Sequence, residues 1–175
     1  MMGSGKSTIG RLLSTRIGWP YLDNDVLLER IRGETARATL ASSGVEELRS
    51  NEARALRLGL DEPEPCFIGA AAGTVLDPEV RASMAARSLV IWLDASPATL
   101  ARRARGASHR PWLETDAEAW MRKTLAERAP LYKSVADLIV NAQRRRPATI
   151  ADQIIDWLGG QPGCMRLVRL EDDAG

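Results

Sequence analysis

The feature that most constrains this sequence is a glycine-rich run near its start that leads directly into a helical pattern. The run consists of Gly3, Ser4, Gly5, Lys6, Ser7 and Thr8. It matches the second half of the G-x-x-x-x-G-K-[ST] motif, in which glycines let backbone N–H groups face a phosphate and the helix N-terminus adds positive charge. Lys6 can reach the β and γ oxygens of a nucleotide, and Ser7 can bind Mg²⁺. We therefore predict a site for ATP and Mg²⁺; the alternative is an ordinary turn before a helix.

The rest of the chain alternates apolar segments of strand type with amphipathic segments of helix type. Strands are predicted at 21–22, 66–69, 89–93 and 137–141. Helices are predicted at 6–18, 26–33, 35–41, 46–58, 97–105, 117–134 and 149–158. This order predicts an α/β fold, a three-layer α/β/α arrangement with a central parallel sheet. With 175 residues, we expect one domain over 1–158, a polar loop at about 106–116, and a flexible tail over 159–175.

A phosphate-binding loop of this kind normally follows a buried strand. The first glycine of the full motif would stand one position before Met1, and no apolar strand precedes Gly3 in this sequence. Such a strand would occupy the interior of the sheet, and its absence would expose the surfaces that pack on it. We therefore expect that the natural start lies upstream and that Met1 is an internal methionine.

Composition excludes several other classes of function. Lys and Arg total 24 against 23 Asp and Glu, so there is no overall field to attract nucleic acid or a membrane surface. Two cysteines and one histidine provide no zinc site at the usual spacing and fit a reducing cytoplasm. No apolar run approaches the roughly 20 residues of a membrane helix. We expect a cytoplasmic monomer whose partner is a small molecule.

An acidic motif follows the first predicted strand. Asp23 and Asp25 flank Asn24, and phosphoryl transfer needs both a metal over the phosphates and a carboxylate to accept the hydroxyl proton. Taken alone, the same three residues are also typical of a turn that caps a helix.

Together with these motifs, the sequence resembles the shikimate kinase family over nearly all of residues 1–158. The resemblance implies transfer of the γ-phosphate of ATP to a hydroxyl of shikimate, in aromatic amino acid biosynthesis. It also implies that Asp23 holds Mg²⁺ through water and that Asp25 binds and activates the acceptor hydroxyl.

The resemblance assigns three arginines to the site. Arg49, in a segment similar to the family's G-E-x-x-F-R-x-x-E, is implied to bind the substrate carboxylate, with Glu52 one turn later holding it. Arg128, in an R-x-P-L-Y pattern, is implied to be the second carboxylate ligand. The segment 109–113 resembles the family's lid, which makes Arg110 the implied transfer arginine. The alternative for Arg49 and Arg110 is an ordinary solvated arginine.

Two further matches concern the edges of the site. Arg103 and Arg145 match positions that flank the adenine in the family, although 144–146 is also typical of a solvated basic turn. The family's Gly-Gly-Gly beside the acceptor appears as Ala71, Ala72 and Gly73. The two added methyl groups narrow the acceptor side of the site. A positive φ at either alanine would strain the backbone.

Three alternatives to shikimate phosphorylation stay open. One is a kinase for another polyhydroxy acid of the gluconate type. A nucleoside monophosphate kinase is less favoured because no groups for base recognition are identified. The third is a regulator that binds ATP without catalysis, against which Lys6, Asp25 and Arg110 argue, because a pure binder needs neither a base nor a transfer arginine.

Overall fold

A computed structural model of the chain describes residues 1–104 and 116–161. Its helices are α1 (Lys6–Ile17), α2 (Asn24–Arg32), α3 (Ala36–Leu60), α4 (Pro78–Arg87), α5 (Pro97–Ala104), α6 (Ala117–Val135) and α7 (Pro147–Gly159). Its strands are β1 (Tyr21–Asp23), β2 (Phe67–Gly69), β3 (Ile91–Asp94) and β4 (Leu138–Asn141). The predicted α/β class is therefore confirmed. The loop expected at 106–116, apart from its last residue, and the tail from 162 onward lie outside the described residues.

The strands form two parallel pairs. β1 pairs with β2 from Tyr21 opposite Phe67, and β3 pairs with β4 from Ile91 opposite Leu138. No strand within 1–104 and 116–161 links β2 to β3, so the expected central sheet is present as two halves. Residues 1–5 form turns and a loop that lead into α1.

Glycines in left-handed geometry shape α1 and α3. α1 begins after Gly5 (φ 97°), whose conformation turns the chain sharply into the helix. α3 contains a kink at Gly44, with φ 83° and ψ −179°, a conformation that only glycine adopts without strain. The two helices predicted at 35–41 and 46–58 are therefore one kinked element, interrupted where the sequence pattern is interrupted.

Helix α4 is not predicted by the apolar pattern. Its start is nevertheless well specified, because Asp77 Oδ1 accepts hydrogen bonds from the backbone N–H groups of Glu79 (2.8 Å) and Val80 (3.2 Å), and Pro78 occupies the first turn. Only Val80 and Met84 are buried along it, and half of the other positions carry alanine or serine. A short helix with two buried side chains shows too little periodicity for the pattern to detect.

Burial of helix faces positions the start of α1. Leu13 of α1 lies in an apolar cluster with Val140 of β4 and Ile154 of α7. A separate cluster joins α2 to α3 through the fully buried Leu28 and Ala55. These clusters set the direction of both helices that begin near the carboxyl ends of the strands.

Two leucines of α3 provide a test of this packing. Leu56 is 2% exposed and Leu58 is 45% exposed. We expect Leu56→Ala to lower the free energy of unfolding by about 2–5 kcal/mol, because it removes buried methyl groups and leaves a cavity. Leu58→Ala, the matched control, should change it by less than about 0.5 kcal/mol. Urea denaturation measures both, and equal losses would contradict the orientation of α3.

Candidate active site

A cavity of about 620 Å³ lies at the carboxyl ends of the strands, where α1 and α2 begin. Most of the residues that the sequence predicts for the site line this cavity. They are Gly3, Gly5, Lys6, Ser7, Thr8, Asp23, Asp25, Arg49, Ala71, Ala72, Gly73 and Arg128. Basic and acidic side chains from distant parts of the chain therefore share one cavity with the glycine-rich loop.

The loop itself leaves no room for side chains at its first glycine. A Cβ on Gly3 (φ 72°) would lie 2.6 Å from the carbonyl oxygen of Leu100, which is too close for any substitution without movement. Lys6 donates from Nζ to the carbonyl oxygen of Met1 at 3.2 Å, so its ammonium lies over the loop. The loop geometry thus aims the N-terminus of α1 and a lysine at the same space, which suits a phosphate group.

Ser7 and the first aspartate of the acidic motif meet across the cavity. Ser7 Oγ donates to Asp23 Oδ2 at 3.0 Å, and the Tyr21 hydroxyl donates to the same oxygen at 3.2 Å. Burial raises the pKa of Tyr21 to about 12. The neighbouring Asp23 carboxylate also raises this pKa, whereas the hydrogen bond with Ser7 lowers it. The phenol therefore stays protonated at neutral pH and holds the carboxylate in place.

The oxygen atoms of Ser7 and Asp23 fit Mg²⁺. This ion prefers hard oxygen ligands, and proteins bind it through one or two side chains while water and substrate phosphates complete the octahedron. Within the described parts of the chain, no group of three or more His, Cys, Asp or Glu side chains could hold a metal alone. The pair agrees with an ion that binds together with a nucleotide.

Asp23 also caps α2, a role for which the pattern of these three residues is typical. Its Oδ1 accepts a hydrogen bond from the backbone N–H of Asp25 at 3.1 Å. Asp25 follows in the first turn of α2 and lines the cavity, where a negative charge is favoured by the helix dipole. The cap fixes the backbone from which Asp25 projects.

The carbonyl oxygen of Ala72 joins the acceptor side of the cavity to α6. It accepts hydrogen bonds from Arg128 Nη1 (3.0 Å) and from the Tyr132 hydroxyl (2.8 Å). Arg128 Nε is buried and has no hydrogen-bond partner among the described residues. Tyr132 is itself buried and packs on Trp92 with ring centroids 5.4 Å apart. Burial raises the pKa of Tyr132, which keeps its hydroxyl a donor.

The alanines that replace two family glycines are not strained. Arg144 is the one non-glycine residue with positive φ in the described ranges, so Ala71 and Ala72 both have ordinary backbone geometry. The Ala71 carbonyl accepts from the Thr74 backbone N–H (3.2 Å) and from its hydroxyl (2.8 Å). The methyl groups therefore change the lining of the cavity but not the path of the chain.

Among the described residues, three predicted site residues are absent from the lining of this cavity. Ser4 is buried, and its hydroxyl has no hydrogen-bond partner among the described residues. Arg103 Nη2 donates to the carbonyl oxygen of Ala142 (2.9 Å), and Arg145 Nη1 donates to Gln153 Oε1 (2.6 Å). Arg110 lies outside the described residues. The adenine and transfer roles of the three arginines stay predictions.

An apolar wall of the cavity is missed by the sequence reasoning. It consists of Leu40, Val45 and Leu48 from α3 and Trp120 from α6. Trp120 packs partly against the apolar core, and the same residue also lines the cavity. In a sequence pattern, apolar side chains that line a cavity cannot be distinguished from core residues. Only the kink at Gly44 could have drawn attention to this wall.

Comparison with known proteins identifies consistent relatives. A family model described as "SKI: Shikimate kinase" matches residues 2–159. The shikimate kinase of Halorhodospira halophila is 33% identical over 162 residues, 92% of this chain and 91% of the relative. That of Mycobacterium bovis is 36% identical over 157 residues, 89% and 88% of the two chains. The solved structure of an Acinetobacter baumannii shikimate kinase in complex with shikimate superposes with a TM-score of 0.84 at 25% identity, covering 90% of this chain and 88% of that chain.

Tyr132 is a candidate positioning residue, because it holds the Ala72 carbonyl beside Arg128. Loss of one buried hydrogen bond changes binding by about 0.5–1.5 kcal/mol, so Tyr132→Phe should raise KM for the acceptor by about 2- to 10-fold. KM for ATP and kcat should change much less. Steady-state kinetics separate these constants, with exposed Ser134→Ala as the control. An unchanged acceptor KM would remove the positioning role.

Proposed function

Because the chain belongs to the shikimate kinase family, we propose that it transfers the γ-phosphate of ATP to a hydroxyl of shikimate, with Mg²⁺. One observation carries the proposal: the cavity that contains the phosphate loop also contains a carboxylate and two arginines that suit a hydroxylated acid. A nucleotide acceptor would instead need groups that recognise a base.

The nucleotide end of the reaction belongs to the loop. The backbone N–H groups of residues 3–8 and the N-terminus of α1 bind the phosphates, and Lys6 contacts the β and γ oxygens. Ser7 and Asp23, which are hydrogen-bonded to each other, would hold Mg²⁺, with Asp23 acting through water. When bound, the ion neutralises charge on the phosphates.

The acceptor end belongs to α2, α3 and α6. Arg49 and Arg128 bind the carboxylate of shikimate. The buried Nε of Arg128 has no hydrogen-bond partner in the part of the chain that the structure describes, which supports this role, since a buried guanidinium N–H requires an acceptor. Asp25 takes the proton of the acceptor hydroxyl while the oxygen of that hydroxyl forms a bond to the γ-phosphorus. The bond from that phosphorus to the bridging oxygen of ADP breaks, and ADP leaves with the electron pair.

We place the kinase domain at 1–158, a lid at about 106–116 that brings Arg110 to the γ-phosphate, and a tail at 159–175 outside the domain. Arg103 and Arg145 flank the adenine. The contact of Arg103 with Ala142 supports this pairing, because it brings α5 next to the segment that contains Arg145.

We also propose that the protein acts as a cytoplasmic monomer without nucleic-acid or membrane partners. The near balance of 24 basic and 23 acidic residues supports the absence of nucleic acid. In the described ranges, no helix combines the length and the apolar character that crossing a bilayer requires. Light scattering on the purified chain tests the monomer, and a mass of two chains would contradict it.

The assignment predicts a specific acceptor. We expect ADP release from ATP and Mg²⁺ in the presence of shikimate, and not with gluconate or nucleoside monophosphates. Asp25→Asn should lower turnover by at least about a hundredfold while ATP affinity stays nearly unchanged, because only proton transfer is lost. Asp152→Asn, which removes an exposed partner of Arg16, is the control. Turnover with nucleotides alone would overturn the assignment, and a normal rate in Asp25→Asn would show that Asp25 is not the base.

The carboxylate ligands give a second test. Hydrogen bonds to charged groups contribute about 1.5–3 kcal/mol, so Arg49→Gln and Arg128→Gln should each raise KM for shikimate by about 10- to 150-fold. KM for ATP should be unaffected, because the phosphate loop is unchanged. Arg54→Gln, at an exposed position of the same helix as Arg49, is a matched control. A larger effect on ATP than on shikimate would place these arginines at the nucleotide instead.

A further inference from the structure

The kink of α3 at Gly44 lies within the part of the helix that lines the active-site cavity. Four lining residues flank it, with Leu40 before the kink and Val45, Leu48 and Arg49 after it. The angle between the two segments of α3 therefore determines where the guanidinium of Arg49 stands relative to the rest of the acceptor side.

The kink itself is open to solvent. Residues 41–46 are all exposed. A Cβ on Gly44 would meet no described residue within 4 Å beyond the adjoining ones. Glycine has more backbone freedom than any other residue, so the conformation of Gly44 requires restraints from outside the kink.

A polar network connects the two segments of α3 through the end of α2. Arg32, the last residue of α2, places Nη2 3.4 Å from Glu34 Oε1 and Nη1 3.4 Å from Glu47 Oε1. Glu34 Oε1 also accepts a hydrogen bond from the hydroxyl of Thr39 at 3.1 Å, in the first segment of α3. Asn51 Nδ2, in the second segment, donates to Glu47 Oε1 at 2.9 Å and to the Glu47 carbonyl oxygen at 2.8 Å. The guanidinium of Arg32 therefore lies between groups from both sides of the kink.

The outer ends of this network are buried. Thr39 is 0% exposed and Asn51 is 5% exposed. An exposed ion pair usually contributes little, because holding two long side chains in one geometry costs conformational entropy. Here each carboxylate already accepts a hydrogen bond from a buried side chain, which limits its freedom before it pairs with the arginine. Both ion pairs of Arg32 therefore form at a reduced entropic cost.

We propose that Arg32 is a positioning residue for the acceptor: it joins the two segments of α3 across the kink and thereby holds Arg49 where the carboxylate binds. Arg32 is absent from the described residues that line the cavity, so it acts through Arg49 and not on the substrate itself. The inference rests on the proposed kinase function, because that function assigns Arg49 to the carboxylate of the acceptor.

The first test replaces the arginine by a neutral side chain. Arg32→Gln removes both ion pairs, so a smaller fraction of molecules holds Arg49 in place, and KM for shikimate should rise about 3- to 10-fold. KM for ATP and kcat should change by less than about twofold, because the fraction of competent molecules affects acceptor binding alone. The matched control is Arg122→Gln, which removes one exposed ion pair, with Glu118 at 2.9 Å, and should leave all three constants unchanged.

A second variant separates positioning from the general electrostatic field. Glu47→Gln keeps an oxygen for Asn51 but loses the ion pair with Arg32. Because it removes a negative charge, a field effect would lower KM for an anionic acceptor, whereas loss of positioning should raise it about 2- to 5-fold. A chain with both changes should match Arg32→Gln within about twofold, since the interaction that the two residues share is lost only once.

Amide hydrogen exchange without any ligand gives a readout that does not depend on the kinase reaction. In Arg32→Gln, exchange across residues 40–51 should become at least about threefold faster, while exchange in α7 stays unchanged. Unchanged exchange at the kink, an unchanged KM for shikimate in Arg32→Gln, or a lowered KM in Glu47→Gln would each overturn the proposal. If the unmodified chain turns over neither shikimate nor another acid, the proposed function fails, and the exchange rates alone decide whether Arg32 holds the kink.

Discussion

The position of α1 is the constraint on which the rest of the structure depends. Its buried face packs in a cluster that includes Val140 from one half of the sheet and Phe67 from the other, so this helix holds the halves in one molecule. The same packing directs its N-terminus, and with it the glycine-rich loop, into the active-site cavity. Hydrophobic burial on one side of α1 thus determines where the phosphate-binding N–H groups point on the other.

Much of this arrangement can be predicted from sequence because its determinants are local. Gly5 and Lys6 stand at fixed positions relative to the start of a helix, and the run at 89–93 is apolar without interruption, so the loop, α1 and β3 follow from short segments. The kink at Gly44 was visible as a break between two helical patterns. Family resemblance added the distant members of the cavity, Asp25, Arg49 and Arg128, which no local pattern could have brought together.

Other features depend on contacts between distant segments and could not be predicted. α4 buries only Val80 and Met84, so its periodicity is too weak, although Asp77 and Pro78 mark its start. The dual place of Trp120, at the core and in the cavity, depends on how α6 lies against α3. The packing of α1 against residues of both strand pairs also joins segments that are far apart in the sequence.

The carbonyl oxygen of Ala72 has a consequence for how this site can diverge. Arg128 and Tyr132 hold the 70–73 segment by a main-chain atom, which is the same atom whatever side chain the residue carries. With ordinary φ values at Ala71 and Ala72, either position accepts a methyl group without moving the backbone. Small substitutions there can alter the room offered to an acid while the arginine keeps its place. Side chains at positions 71 and 72 therefore determine which acid the cavity accepts, whereas a backbone carbonyl keeps the arginine in position.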